Sequence, residues 1–207
     1  MLILKKKKVR LKKTNLFLLS VLLTVFGCRD VAVPKPKGYL RIDLPQKNYI
    51  LYNPKPAIKE RPFSFEYPAY GHLSFVPEKI SDPGWFNIEF PDYNAKIYLT
   101  YKKIKNDLDS LMEQTYQMNV KNHLIKAEAI NEQVIQDRKS KVYGILYDLK
   151  GNTASAVQFY VTDSINHYLR GSLYFTAEPN ADSLAPVIEF FRDDIIHMIE
   201  TLKWKTE

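Results

Sequence analysis

Cysteine is almost missing: Cys28 stands alone in 207 residues. That excludes an intramolecular disulfide and every multi-cysteine metal site. Glycine is scarce too, with seven in the chain and no Walker-type or dinucleotide-binding pattern among them. A glycine-built cradle for nucleotide phosphates is therefore not available. No GxSxG elbow presents a serine nucleophile. His72, His123 and His167 fall on separate segments. A one-sign charge is also lacking over most of the chain. The net +7 comes from Lys5, Lys6, Lys7, Lys8, Arg10, Lys12 and Lys13, and from Cys28 onward 23 basic residues face 23 acidic ones. A nucleic-acid partner is thus not expected, because it would need the basic patch on the folded part. Nor does Leu16–Phe26, eleven residues nearly all apolar, reach the roughly 20 residues that a spanning helix needs.

What is present begins with an address. The basic segment, the short apolar run and the small Gly27 before Cys28 make the three parts of a secretory signal peptide. With Val25, Phe26 and Gly27 ahead of it, Cys28 resembles the cleavage site of a bacterial lipoprotein. The resemblance implies that residues 1–27 are removed and that the Cys28 thiol carries lipid. Two or three acyl chains anchor stably, each buried methylene adding about 0.8 kcal/mol. One acid follows, at Asp30, a weak signal for surface export. The expected location is the periplasmic side of an envelope membrane, with inner and outer membrane both open.

Ten of the twelve prolines precede residue 92. Residues 28–38 contain the VPKPKG run and read as a semi-rigid tether. Residues 39–207 are of a size for one domain. Eleven Phe, Tyr or Trp residues lie between Phe63 and Tyr101. They fall in alternating runs such as WFNIEF and KIYLTY, with Phe86, Ile88 and Phe90, then Ile97, Leu99 and Tyr101, on one face. The spacing then predicts a helix over 107–123, capped by Asn106. Strands follow over 127–137, 141–149, 154–162 and 167–176, with Asp163-Ser164-Ile165-Asn166 as one turn. A closing helix is expected from a Ser183 cap, with Pro186 in its first turn. Leu184, Val187, Ile188, Phe191, Ile195, Met198, Ile199 and Leu202 form its apolar stripe. The whole reads as an α+β domain, a largely antiparallel sheet with two main helices packed on it.

Segments across the chain resemble the GldD family of gliding motility lipoproteins of the Bacteroidota. They are KPKGYLRIDLP (35–45), PFSFEYP (62–68), WFNIEFP (85–91), YGILYDLKGNTASAVQFYVTDS (143–164), HYLRGSLYF (167–175) and NADSLAPVIEFFRDDIIHMIETLKW (180–204). The resemblance implies a non-enzymatic accessory role in gliding motility and in the type IX secretion machinery, exercised through other envelope proteins. It brings no catalytic motif and no cofactor. GSLYF leading to a helix that ends near Trp204 is also similar in layout to PsbP- and Mog1-type domains, a likeness of architecture alone.

Three groups of residues are candidate sites. Asp193, Asp194 and His197 can share a helix edge and offer two oxygens and an imidazole to a metal; the plainer reading makes that edge a solvated face. Asp107 and Asp109 resemble a carboxylate pair, or else complement a helix N-terminus. Tyr39, Arg41 and Asp43, directly after the tether, are either a partner contact or part of an arm packed on its own domain. The alternative function is a ligand-binding lipoprotein whose Phe63–Tyr101 aromatics line a pocket for lipid or another apolar molecule. The anchor is directly testable: fatty-acid labelling is expected to tag the wild-type chain and to leave Cys28→Ala untagged.

Overall fold

The computed structural model describes residues 42–54, 61–75 and 84–205, all within a unit running from Leu40 to Glu207. Cys28, Tyr39 and Arg41, with the signal and the tether, lie outside the described residues.

Period-two segments become strands as their alternation requires. They are β1 (Tyr49–Tyr52), β2 (Phe63–Pro68), β3 (His72–Phe75), β4 (Trp85–Phe90) and β5 (Ala95–Lys103) in the first half. After helix α1 (Leu108–Tyr116) come β6 (Ala129–Asp137), β7 (Val142–Lys150), β8 (Val157–Thr162) and β9 (His167–Phe175). Helix α2 (Ala181–Glu200) and the short β10 (Lys203–Trp204) close the chain. Among the described residues every pairing is antiparallel, in a seven-stranded sheet ordered β3-β4-β5-β9-β8-β7-β6 and a small sheet ordered β1-β2-β10.

The large sheet has two unlike faces. Phe86, Ile88, Ile97, Leu99, Phe159, Val161, Leu169 and Leu173 share the main core with Val187, Phe191, Ile195 and Met198 of α2. Phe191 has no exposed surface, and its ring sits 4.5 Å from that of Phe90; truncating such a side chain to Ala typically costs about 3–5 kcal/mol. On the opposite face, Leu111 and Val120 pack with Tyr147, Leu149, Tyr160 and Tyr168. Gly171 marks a close approach: a Cβ there would lie 2.1 Å from the ring of Phe159, its partner across the ladder. The ring takes the space that a side chain would have filled.

The elements depart from the spacing mainly at their ends. The cap of α2 is Asn180, whose side chain accepts the Ser183 N–H at 3.2 Å, so Ser183 lies inside the first turn. Pro186 consequently sits within the helix, on an exposed stretch. The start of α1 is Asp107, not Asn106; its carboxylate accepts the Lys105 N–H at 2.7 Å, and Asn106 has a left-handed φ of 61°. The expected helix of 107–123 changes form part-way, widening into a π-type turn over Gln117–Lys121. Strand β8 starts at Val157, because residues before it are used in the turn from β7.

The expected turn at 163–166 is held by one carboxylate. Asp163 Oδ1 accepts the N–H groups of Ile165, Asn166 and His167 at 3.0, 2.8 and 2.8 Å. Burial pushes its pKa up, but these N–H bonds outweigh that and hold it below the ordinary 3.8. A carboxyl with a depressed native pKa adds stability above its unfolded value and loses it as pH falls through the native one. Asp163→Ala is therefore expected to be less stable than wild type at neutral pH, with the gap closing below about pH 4. Urea unfolding across that range measures it.

Candidate functional site

The Asp193-Asp194-His197 edge is not a uniformly solvated face: Asp193 is exposed and Asp194 is buried. Asp194 lies three residues after Phe191 and four before Met198, so helical spacing puts it in the apolar stripe. It is 1% exposed. Its Oδ1 accepts from Lys47 Nζ at 2.8 Å and from the Tyr49 hydroxyl at 2.9 Å, and its Oδ2 from the Tyr70 hydroxyl at 2.6 Å. Lys47 also donates to the Phe190 carbonyl at 2.5 Å and lies 4.0 Å over the Phe190 ring. Burial and the Asp194 carboxylate push the Tyr49 and Tyr70 hydroxyls well above their ordinary value, so both remain donors. His197 points another way: its Nε2 is 2.7 Å from Glu66 Oε2, and its ring stacks 3.7 Å from that of Tyr49. Asp193 stays at the surface, 3.8 Å from Lys47. Asp194 and His197 are thus taken up by neighbours from β1 and the chain before it, from β2 and from the corner before β3. Among the described residues no three His, Cys, Asp or Glu side chains converge as a metal group would require.

This network seats the chain that leads into β1. Leu44 packs on the main core, and the Tyr93 hydroxyl donates to the Asp43 carbonyl at 3.2 Å. The described part of the arm therefore lies on its own domain, with the Asp43 side chain exposed. Phe63, Phe65, Phe86 and Phe90 are fully buried. These four aromatics of the alternative reading are therefore filled core, while Phe75, Trp85 and Tyr98 of the same stretch stay exposed.

A cleft exists elsewhere, on the face where α1 covers only part of the large sheet. One cavity of about 350 Å³ is lined by Tyr98, Thr100, Arg170, Ser172 and Tyr174. A second, of about 220 Å³, shares Thr100 and Arg170 and reaches Trp85, Lys102 and α1. Arg170 joins the two. Its Nε and Nη2 donate to Asn119 Oδ1 at 3.2 and 3.0 Å. The π-type turn brings Asn119 there, fully buried. Burial pulls the Arg170 pKa down from its usual value, yet a guanidinium stays charged in proteins. Nearby, the Ser172 hydroxyl reaches Gln158 Oε1 at 3.5 Å, and Gln158 Nε2 lies 3.2 Å from His123 Nε2. Burial, then Arg170 and Lys126, lower the His123 pKa, so the neutral ring can accept from that amide.

The family model described as "Gliding motility lipoprotein GldD" matches residues 29–204. The chain belongs to the GldD family. No curated protein matches. Among solved structures, the chain is similar to cyanobacterial PsbP from Synechocystis, with 12% identity and a TM-score of 0.47 over 82% of this chain and 99% of that one. The GldD family is one of lipoproteins, in keeping with a lipid-anchored envelope protein. Among the described residues no helix is long and apolar enough to cross a membrane.

Asp194 is expected to be needed for the fold. Asp194→Ala leaves the Tyr49 and Tyr70 hydroxyls without their acceptor, while Lys47 keeps the Phe190 carbonyl; unsatisfied buried donors cost about 1–3 kcal/mol each. The expected loss is about 3 kcal/mol in urea unfolding, with faster proteolysis around residues 42–52. Asp193→Asn, at the surface, is expected to change stability by less than about 0.5 kcal/mol.

Proposed function

We propose that this chain is a non-enzymatic accessory lipoprotein. Lipid on Cys28 anchors it to the periplasmic side of an envelope membrane. It supports gliding motility, and the type IX secretion machinery with it, through contacts with other envelope proteins. The observation that carries this reading is the family match across residues 29–204.

The candidate residues support the same reading. Asp194 and His197 are occupied in holding the fold, with Lys47, Tyr49, Tyr70 and Glu66 as their partners. The cleft at Arg170 presents a cation, hydroxyls and aromatic rings, a set that suits recognition. The contact surface proposed is the arm beside the tether, with Tyr39, Arg41 and Asp43. Asp43 is an exposed residue whose backbone carbonyl accepts from the Tyr93 hydroxyl.

Charge reversal at the centre of a contact surface costs several kcal/mol. Arg41→Glu combined with Asp43→Lys is therefore expected to abolish gliding and to remove partner bands from an envelope crosslinking pull-down, with the protein abundant and folded. Full gliding and unchanged partner capture by this variant would overturn the assignment of the arm.

A further inference from the structure

We propose that the cleft between α1 and the open part of the large sheet binds a small oxyanion-bearing ligand, a carboxylate or a phosphate, held by Arg170 with its apolar body on Trp85 and Tyr98. Arg170 is half-buried, and among the described residues no carboxylate pairs with it; its polar partner is the neutral Asn119. The contrast with Arg192 is direct. That guanidinium is paired with Asp148 through Nε at 2.7 Å and Nη2 at 2.9 Å. A charge held away from water without a counter-ion is costly. Two of the five N–H groups of Arg170 are engaged by Asn119, which leaves donors for a planar or tetrahedral oxyanion.

The surroundings match such a ligand. Among the described residues no acid lines either cavity, and Lys102 adds a second cation to the lining of the smaller one. Glu89, the acid nearest along β4, is bound to Lys96 at 2.9 Å. Thr100 supplies a hydroxyl beside the guanidinium, while the Ser172 hydroxyl is turned to Gln158. Trp85 lies opposite Thr100 across the ladder and Tyr98 two residues along β5, so both rings flank the same spot. They are 46% and 47% exposed. Tyr174 braces Tyr98 edge-on at 5.4 Å. Exposed rings beside a half-buried cation suit a molecule with one charged end and one apolar end. The two cavities, about 350 and 220 Å³, are of the size that small molecules occupy.

The test uses the full chain in nanodiscs of uncharged lipid. Phenylacetate and phenyl phosphate are titrated separately, with benzyl alcohol as the neutral control, and Trp fluorescence and calorimetry report binding. At least one anion is expected to saturate at or below about 1 mM, a binding energy of about 4 kcal/mol, while the alcohol gives no saturable response. Which anion binds more tightly identifies the headgroup. Arg170→Gln is expected to abolish the response. Should that variant fail to fold, Tyr98→Ala changes an exposed ring and is expected to weaken binding about tenfold. Failure of both anions to saturate, an equal response to the alcohol, or unchanged binding in a folded Arg170→Gln or Tyr98→Ala would overturn the proposal. The readout is direct binding by the purified chain, so it stands apart from any envelope partner.

Discussion

A carboxylate at the centre of α2 is shut away from water, and the N-terminal side of the domain is arranged to satisfy it. Asp194 collects one ammonium and two phenols from two separate pieces of chain, the run of Lys47 and Tyr49 and the corner at Tyr70. Each donor pins its own place: Lys47 the arm, Tyr49 the start of β1, Tyr70 the corner between β2 and β3. Hydrophobic contact alone is non-directional and would not fix where these segments sit on α2. A buried charge does, because any shift that breaks one of the bonds leaves a desolvated group behind. Glu66 with His197 adds a second tie between β2 and the same helix.

Two helices of unequal reach cover the two faces of the large sheet. On one side α2, 20 residues long, seals a continuous core. On the other, α1 has 9 residues before it widens into the π-type turn. It reaches across Tyr147, Tyr160 and Tyr168 but leaves Trp85 and Tyr98 in solvent. The cleft is the step between covered and uncovered sheet. The same irregular turn that ends the helix delivers Asn119 to the guanidinium of Arg170.

The strands are legible in the sequence because their alternation is strong: Phe86, Ile88 and Phe90, like Ile97, Leu99 and Tyr101, face the core as their spacing predicts. Helix ends are less so. Ser183 and Pro186 look like a start, but Asn180 is an equally good cap, and an exposed proline one turn further in is tolerated. The burial of Asp194 has a signal in its spacing, since it occupies a stripe position between Phe191 and Met198, although its charge argues for the surface. Its partners have none, because Lys47, Tyr49 and Tyr70 reach it through long-range folding. Arg170 shares the period-two face of Tyr168, Ser172 and Tyr174, which the sequence shows. That no acid faces it depends on which strands lie alongside, and spacing within β9 does not carry that.

Lys203 and Trp204 pair with Ser64 and Phe63, so one of the first strands waits for the last residues of the chain. The central pairing of β5 with β9 likewise joins distant segments. Closing such loops costs entropy before any contact repays it, and topologies of this kind fold slowly. The small sheet is therefore complete only once the last residues of the chain have come back to the first strands.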